Sequence, residues 1–496
     1  MSYQISRRFF LSASAASLAT GAVADAPKTS LLPRLRGEGF RKKAVAGPEV
    51  IVADANLGGQ VCYTVADAKT GLRLEGMNPQ TGTPPASTAK AITALYAMDV
   101  LGGDHRFETQ VVATGSVTDG VVSGDLVLLG GSDPSLDTNA LAKLAADVKA
   151  AGIREVRGGL VIYDGGSANV TTIDPDQPAH VGYSPAVSGI ALNYNRVHFE
   201  WKRSGGDYAV TMDARSDKYR PDVVVAQMRV EDRSGPVYTY ADMNGRDDWT
   251  VARGALGSGG ARWLPVRKPA LYAGDVFHTM LRAQGIKLSA PKVTSTRPSG
   301  QVLARHFSDD LRALVKDMLL YSTNLTAEMV GLAATIKRGQ APQTLKQSAA
   351  EMNAWARQTL GVEGLALVDH SGLSEDSMVT ADAMVEALVK VHGDDNLRPL
   401  LKEIPLRDAK GRPISSGPVT VQAKTGTLNF VSGLAGYISA NDGTVMAFAI
   451  FAADEDRRAK LTKAQRERPE GARWYNGRAK NMQQELIERW GTLYSS

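Results

Sequence analysis

The 496-residue sequence predicts an α/β (α+β) fold: an antiparallel sheet flanked by helices and interrupted by inserted β-rich domains. Three patterns indicate it. Apolar residues recur at helical spacing within 86–101 and within 311–336. Extended runs between 418 and 452 include Asn441-Asp442-Gly443, a strong hairpin signal, and predict antiparallel strands. From 106 to 300, short β-like runs alternate with turns, which predicts a long β-rich insertion.

Length and composition limit the class of protein. A chain of 496 residues is too long for one ordinary core and predicts two or three domains. The 43% hydrophobic and 22% charged content is typical of a soluble globular protein. The single cysteine, Cys62, excludes an internal disulfide and a cysteine-based zinc site, and its position in an alternating run predicts a core residue.

The N-terminus is predicted to be a processing segment. Ser6-Arg7-Arg8-Phe9-Phe10-Leu11 matches the twin-arginine export pattern, and a weakly apolar stretch rich in Ala and Ser follows to Val23. Cleavage is predicted at Ala22-Val23-Ala24 or Ala24-Asp25-Ala26, and the absence of a nearby cysteine excludes a lipoprotein. We therefore expect export in the folded state and a periplasmic location. No other stretch approaches the roughly 18 apolar residues that a membrane span needs.

The first candidate motif is Ser87-Thr88-Ala89-Lys90. Pro84-Pro85 breaks the chain just before it, and 86–101 then has helical periodicity, so Ser87 should lie in the first turn of a helix. Lys90, three residues later, should lie on the same face. Ser289-Ala290-Pro291-Lys292 has the same SxxK spacing, but it contains a proline, lies in a β-like run and is followed by no helix.

The second candidate motif, Ser322-Thr323-Asn324, separates two helical runs, the first with Ser308 as its expected N-cap. A polar turn at such a junction can place a hydroxyl and an amide in a cleft, although Asn324 could equally be a simple helix cap. Ser167-Ala168-Asn169 has the same SxN spacing but follows two glycines and is interpreted as a loop.

The third candidate motif, Lys424-Thr425-Gly426-Thr427, follows an extended run and is predicted to lie on a strand of the antiparallel sheet. Lys424 would supply a fixed positive charge and Thr425 a hydroxyl for a terminal carboxylate, while Gly426 would let a substrate backbone come close. Lys69-Thr70-Gly71 also reads KTG, but it lies between two short alternating runs and is predicted to be a hairpin turn.

In this order, the three motifs point to serine acyl transfer with a lysine as the proton carrier. A serine hydroxyl is a weak nucleophile until a neighbouring base takes its proton, and a lysine with a lowered pKa can be that base. The sequence resembles the serine-type D-Ala-D-Ala carboxypeptidases/endopeptidases of the class C low-molecular-mass penicillin-binding proteins. That family also carries a large insertion between SxxK and SxN. Further similar segments are Gly124–Leu136, Asp369–Ser374 (with His370 where glycine is usual), Lys424–Leu428 and Gly433–Tyr437.

The resemblance implies a role for each motif residue in a penicilloyl-serine transferase (β-lactamase/transpeptidase-like) domain. Ser87 would be the nucleophile and Lys90 its base. Ser322 would relay a proton to the leaving amine, and Asn324 would hold the substrate amide. Lys424 with Thr425, Gly426 and Thr427 would bind the substrate and its terminal carboxylate, and the backbone N–H groups of Ser87 and Thr427 would form the oxyanion hole.

The N-terminal pattern and the resemblance together predict a domain organisation, and the resemblance implies the substrate and partners. The expected segments are a twin-arginine signal peptide (1–26), the first part of the transpeptidase-like domain (27–105), inserted domains (106–300, with a nested β-rich module at 192–265) and its second part (301–496). Peptidoglycan stem peptides would be the substrate and β-lactams the inhibitors, with neither metal nor organic cofactor. Family members that bind diaminopimelate use an acidic residue of the insertion, for which Asp174 and Asp176 are candidates.

Charge and motif content bear on the remaining alternatives. The net charge of +5 and the basic clusters at 34–43 and 457–478 predict at most weak peripheral contact with membrane or wall. Binding to nucleic acid is not expected, because an exported protein meets little nucleic acid.

Three alternative functions fit the motifs less well. A β-lactamase shares the three motifs but usually adds a deacylating glutamate in an ExxLN-like segment, which is not found here. A wall-binding module with decayed motifs is disfavoured by the intact motif residues. A His-dependent hydrolase is disfavoured because no GxSxG or HExxH occurs and His370 adjoins no nucleophile motif.

Overall fold

The computed structural model describes residues 45–165, 168–394, 396–408, 410–414 and 417–495. The predicted signal peptide at 1–26 and the Ser167 of the second SxN sequence lie outside the described residues. Within them, no helix has both the length and the apolar character that crossing a membrane requires.

Helices and strands alternate along the described part of the chain. The helices are α1 (Pro48–Ala55), α2 (Ala89–Leu101), α3 (Thr138–Ala150), α4 (Pro269–Ala283), α5 (Leu311–Tyr321), α6 (Asn324–Lys337), α7 (Leu345–Trp355), α8 (Ala381–Lys390), α9 (Glu455–Ala459) and α10 (Ala472–Tyr494). The strands are β1 (Gln60–Asp67), β2 (Arg73–Met77), β3 (Glu108–Ala113), β4 (Val117–Thr118), β5 (Val121–Val122), β6 (Leu126–Leu129), β7 (Glu155–Val156), β8 (Leu160–Tyr163), β9 (Arg196–Ser204), β10 (Asp207–Asp213), β11 (Ala226–Glu231), β12 (Tyr238–Asp242), β13 (Asp247–Ala252), β14 (Gly259–Pro265), β15 (Lys292–Thr294), β16 (Gln301–Phe307), β17 (Leu365–Ala366), β18 (Met378–Val379), β19 (Lys402–Glu403), β20 (Val419–Leu428), β21 (Val431–Ala440) and β22 (Val445–Ala453).

The main sheet joins the two ends of the described chain. Its strand order is β19-β20-β21-β22-β1-β2, with every neighbouring pair antiparallel. Helices α2, α5, α6 and α8 share a core with one face, and α1 and α10 share a core with the other. Because both faces are covered, β22 is buried along almost its whole length, and Cys62 lies in a strand that is buried on both sides rather than alternating.

The turns of this sheet follow their sequence signals. The predicted hairpin joins β21 to β22, with Gly443 at φ 89° and its N–H donating to the Ala440 carbonyl at 3.1 Å. Lys69-Thr70-Gly71 lies in the turn between β1 and β2, as predicted. The expected cap at Ser308 is wrong. The chain stays extended through Asp310, whose carboxylate accepts the Ala313 N–H at 2.9 Å and caps α5, while Ser308 Oγ accepts the Phe107 N–H.

The segment between the first two motifs is rich in β structure. A five-stranded sheet, β15-β8-β6-β3-β16, packs with α3 and α4. Residues 196–265 form two further three-stranded sheets, β10-β9-β14 and β11-β13-β12. Strand β16 starts just after the predicted boundary at residue 300 and pairs with β3. The domain boundaries themselves stay a prediction.

Candidate active site

Ser87 lies in a tight turn that leads directly into α2. The turn spans Ala86–Thr88, and α2 begins at Ala89. Ala86 has φ 48°, a left-handed conformation that a non-glycine residue rarely adopts and that is typical of functional sites. The Thr88 hydroxyl donates to the Pro85 carbonyl at 2.7 Å and helps to fix the turn. Lys90 lies three residues after Ser87, in the first turn of α2, and is fully buried.

The Lys90 amine has three close partners and is shielded from solvent. Nζ lies 2.8 Å from Ser87 Oγ, 2.7 Å from Asn324 Oδ1 and 2.8 Å from the Ser371 carbonyl oxygen. Burial, and then the charge of Lys424, lower the pKa of Lys90 to about 7. A substantial fraction of the amine is therefore neutral near neutral pH and able to accept the Ser87 proton.

The second motif places Ser322 and Asn324 beside the two lysines. Ser322 has φ 60° and ends α5, and α6 begins at Asn324. Ser322 Oγ accepts a hydrogen bond from Lys424 Nζ at 3.1 Å. Asn324 Nδ2 donates to the Tyr183 carbonyl at 2.9 Å, while its Oδ1 faces Lys90. Asn324 is therefore not a helix cap, because both ends of its side-chain amide bind groups of the site.

The third motif lies on β20, as predicted. Lys424 is buried, and its Nζ also donates to the Thr425 carbonyl at 2.7 Å. Burial, and then the charge of Lys402, lower the pKa of Lys424 to about 8, so it is mostly cationic at neutral pH. Thr425 and Thr427 are exposed, whereas Gly426 between them is buried. The two threonines can thus meet a ligand that lies along the strand.

Gly426 lies against the turn that carries Ser87. A Cβ at this position would lie 2.6 Å from the Pro85 carbonyl oxygen and 3.1 Å from the Ser87 nitrogen. The glycine therefore lets β20 pass close over the turn that carries Ser87, on the opposite side from the exposed threonines. Gly372 makes a similar approach, since its Cβ would lie 2.0 Å from the Ala86 carbonyl oxygen.

Two buried carboxyl groups behind Lys90 were not predicted. Glu328 accepts the N–H groups of His370 (3.0 Å) and Ser371 (2.9 Å). Asp369 accepts the N–H groups of Gly372 and Ser374, both at 2.7 Å. Burial raises the pKa of both carboxyl groups, and the charge of Asp369 raises that of Glu328 further, to about 8. Glu328 lies one helical turn after Asn324, but its place in the sequence does not show that its carboxyl group is buried behind Lys90.

His370 packs behind the site and makes no hydrogen bond to the nucleophile in the described structure. Its ring is buried against Gly331, with Nε2 2.8 Å from Ser348 Oγ. Burial lowers the pKa of His370 to about 3, so the ring is neutral at ordinary pH. The His370 backbone N–H donates to the Glu328 carboxylate, and the His370 carbonyl accepts a hydrogen bond from the Thr93 hydroxyl. These contacts fit a packing role without acid–base duty.

Ser87 lies in the wall of a cleft of ≈ 300 Å³. Ser87, Ser322, Asn324 and Thr427 line it, together with Gln177, Tyr183, Arg458, Arg466 and Glu467 among others. A larger cavity of ≈ 380 Å³ elsewhere, beside Asp382 and Arg73, contains no residue of the three candidate motifs.

The two aspartates proposed to recognise diaminopimelate lie near the cleft lining but do not line it. Asp174 is buried, and its carboxylate accepts hydrogen bonds from Gln177 Nε2 at 2.8 Å and from the Asp176 N–H at 2.9 Å. Gln177, rather than Asp174 or Asp176, lines the cleft.

The chain is similar to D-Ala-D-Ala carboxypeptidases along most of its length. The model of the D-Ala-D-Ala carboxypeptidase 3 (S13) family matches residues 46–469. A D-alanyl-D-alanine carboxypeptidase of Actinomadura sp. (strain R39) is 28% identical over 445 residues, covering 81% of this chain and 79% of that protein. The D-alanyl-D-alanine carboxypeptidase DacB of Haemophilus influenzae is 25% identical over 387 residues, covering 74% and 79%.

The fold is also that of a solved penicillin-binding protein. The crystal structure of penicillin-binding protein 4 from Haemophilus influenzae superposes with a TM-score of 0.72 at 22% identity, covering 89% of this chain and 99% of that one. The predicted fold class and enzyme class, a serine-type D-Ala-D-Ala carboxypeptidase, are confirmed. The chain belongs to the D-Ala-D-Ala carboxypeptidase 3 (S13) family.

Proposed function

We propose that this protein is a periplasmic D-Ala-D-Ala carboxypeptidase and DD-endopeptidase that trims or cleaves peptidoglycan stem peptides and is acylated by penicillin. The observation that carries the proposal is the buried Lys90 amine, 2.8 Å from Ser87 Oγ and with its pKa lowered to about 7. A lysine in this state can be a general base near neutral pH, which a solvent-exposed lysine cannot.

In the proposed reaction, Ser87 Oγ attacks the carbonyl carbon of the penultimate D-Ala while its proton passes to Lys90. The peptide C–N bond then breaks, and the leaving D-Ala amine takes a proton through Ser322, whose hydroxyl lies 3.1 Å from Lys424 Nζ. Water hydrolyses the acyl-Ser87 ester and regenerates the free serine. Lys424 and Thr425 would bind the substrate carboxylate, and the Ser87 and Thr427 N–H groups the oxyanion.

The edge of β20 supports an extended peptide as the substrate. Strand β19 pairs only with Gln422 and Ala423. In the described structure no strand pairs with the outer edge of Lys424–Leu428, so a substrate backbone can add there as a further strand. An extended binding mode suits a free D-Ala-D-Ala terminus and also a cross-link that continues beyond the scissile bond, which is why we include endopeptidase action.

A long-lived penicilloyl-enzyme is part of the proposal. A carboxylate that could activate water in the cleft is Glu467, but it lies 2.7 Å from His180 Nε2 and 2.9 Å from Arg262. These partners, His180 first, lower the pKa of Glu467 to about 2 and make it a weak base. Slow deacylation argues for a peptidase that β-lactams inhibit rather than a β-lactamase.

The test is parallel turnover of two substrates. Purified enzyme should release D-Ala from an acyl-D-Ala-D-Ala peptide and convert a D-Ala-diaminopimelate cross-linked muropeptide dimer into monomers. Ser87→Ala should remove both activities, whereas Ser289→Ala, in the other SxxK sequence, should remove neither. Release of D-Ala without cleavage of the dimer would restrict the function to carboxypeptidase action, and activity in Ser87→Ala would contradict the proposal.

A further inference from the structure

A second pocket adjoins the catalytic cleft and shares part of its wall. Its volume is ≈ 130 Å³, and it shares Tyr183, Ser322 and Asn324 with the cleft. Its other walls include Tyr194, Arg196 and Tyr321. Tyr321 is 70% exposed and Tyr183 46% exposed, so aromatic rings stand at its mouth. We call it the Arg196 pocket.

The backbone before Arg196 is held in an unusual conformation. Asn193, Tyr194 and Asn195 have φ values of 50°, 58° and 51°, three left-handed non-glycine residues in succession. Such conformations persist only where the surroundings impose them. Here Asn193 Nδ2 donates to Thr138 Oγ1 and Asn195 Nδ2 to the Ala186 carbonyl, both at 2.9 Å. The turn thereby fixes the backbone from which the side chains of Tyr194 and Arg196 enter the pocket wall.

The Arg196 guanidinium lies between two aromatic rings. Its Cζ is 5.2 Å from the ring centroid of Tyr194 and 5.6 Å from that of Trp263. Contacts of this kind stabilise a cation but leave its N–H donors unused. Arg196 Nε is buried and has no hydrogen-bond partner in the described part of the chain.

No carboxylate in the described residues forms an ion pair with Arg196. The neighbouring arginines differ. Arg262 lies 2.9 Å from Glu467, and Arg458 and Arg466 lie 3.0 and 3.1 Å from Glu375. A mostly buried cation without a counter-charge is costly, and an incoming anion would relieve that cost. A guanidinium suits a carboxylate because it offers planar, paired donors.

We propose that the Arg196 pocket is a second substrate subsite, which binds the α-carboxylate of the γ-linked D-glutamate of the stem peptide. The inference rests on the proposed function, because the pocket meets the catalytic cleft at Ser322 and Asn324. Lys424 and Thr425 serve the terminal carboxylate, so a stem peptide that carries an internal carboxylate would be held at two points. The enzyme would then discriminate substrates by a group remote from the scissile bond.

The test compares two stem peptides that end in D-Ala-D-Ala and differ in one group. One carries the free α-carboxylate of its γ-linked D-glutamate, and the other carries a carboxamide there. The wild-type enzyme should favour the carboxylate peptide by about tenfold in kcat/KM. Arg196→Gln should reduce this ratio to about one, chiefly by lowering kcat/KM of the carboxylate peptide. Arg196→Lys should restore part of the ratio.

A matched control is Arg253→Gln. Arg253 also lies over a tyrosine, Tyr208, at 5.9 Å, but it pairs with Asp207 and Asp232 and lines neither the cleft nor the Arg196 pocket. It should retain the full preference. The ratio of kcat/KM between the two peptides can be measured on the wild-type enzyme alone. Equal values for the two peptides would therefore overturn the inference even if Arg196→Gln did not fold.

Free glutarate distinguishes a substrate subsite from a separate effector site. Glutarate should inhibit the carboxylate peptide competitively, and more strongly in the wild-type enzyme than in Arg196→Gln, because any binding at Lys424 is common to both enzymes. Non-competitive inhibition or activation by glutarate that Arg196→Gln removes would show an effector site and overturn the inference. Absence of D-Ala release from both peptides, with no penicilloyl-enzyme, would instead overturn the proposed function and this inference with it.

Discussion

Lys90 is a buried amine whose surroundings decide whether it can act as a base. Its Nζ is held by a hydroxyl, a side-chain carbonyl and a backbone carbonyl, none of which is charged. Asp369 and Glu328, in their ionised forms, raise the pKa of Lys90, but burial and the Lys424 charge lower it and prevail. The result is an amine that titrates near neutrality at a fixed distance from the nucleophile.

Replacing Lys90 by methionine should remove acylation while preserving packing. Methionine fills a similar volume without a basic nitrogen, so the acylation rate by penicillin should fall by about 10³-fold. Stopped-flow or quench-flow measurement of the adduct checks this. Lys292→Met, in the other SxxK sequence, is the matched control and should acylate normally. If Lys90→Met acylated at near-normal speed, another base would have to be found.

The acylation rate should rise with pH through about 7. Below that pH Lys90 is protonated and cannot accept the Ser87 proton, and above it the neutral amine dominates. In Lys424→Met, loss of the neighbouring cation should raise the pKa of Lys90 and move the acid limb to higher pH. Lys402→Met should leave the limb in place, because the Lys402 charge acts on Lys424 rather than on Lys90. An unmoved limb in Lys424→Met would contradict this electrostatic account.

Residue types and spacing were sufficient to select Ser87, Lys90, Ser322, Asn324 and Lys424, which the structure brings together. They were not sufficient to rank the causes of the Lys90 pKa. The largest cause is burial, which depends on packing from distant segments and cannot be read from the motif itself. Glu328 and Asp369 were missed for the same reason, since only the fold brings them next to Lys90.

At the scale of elements, the position of β20 over the Ser87 turn depends on a glycine. Gly426→Ala would place a Cβ 2.6 Å from the Pro85 carbonyl oxygen, so the strand or the turn must move. We expect a loss of about 1–3 kcal/mol in the free energy of unfolding and a larger loss of acylation rate. Thermal unfolding and adduct formation measure the two effects.

The control for Gly426→Ala lies on α10. Gly477 is exposed, and a Cβ there meets nothing within 4 Å. Gly477→Ala should therefore stabilise the helix by about 1 kcal/mol and leave acylation unchanged. Normal acylation in Gly426→Ala would show that contact between β20 and the turn is not needed for the site.

Hairpins and helix positions were predictable because their signals are local. The Asn441-Asp442-Gly443 turn and the helix after Ser87 follow from a few adjacent residues. The direction in which Gly426 faces depends on the neighbouring Ser87 turn. The position of the helix cap, at Asp310 rather than Ser308, depends on the dihedral angles that the chain adopts before α5. Patterns within one segment could not supply these.

For the whole molecule, the insertion supplies part of the site. The Tyr183 carbonyl holds Asn324, and Gln177 and Tyr183 line the cleft, although all the motif residues lie outside the insertion. The sequence predicted that an inserted β-rich segment exists, but not that Gln177 and Tyr183 within it would line the cleft, because no local pattern encodes contacts between segments so distant in the chain.

Export is the prediction that concerns the intact precursor. Changing Arg7 and Arg8 together to lysine should leave precursor in the cytoplasm, since the twin-arginine receptor reads that pair as an address. Cell fractionation with an immunoblot measures it, and Lys42→Arg with Lys43→Arg offers a control pair beyond the predicted signal. Unchanged periplasmic delivery of the Arg7/Arg8 variant would point to the general secretion route.

The most direct test of the central claim is the intact mass of the enzyme after incubation with penicillin, followed by peptide mapping. A β-lactam mimics the D-Ala-D-Ala terminus, so the account predicts one penicilloyl adduct that persists for minutes or longer and maps to Ser87. Ser87→Ala should show no adduct. An adduct on Ser289, or rapid loss of the drug without any adduct, would contradict the assignment of Ser87 and Lys90 as nucleophile and base.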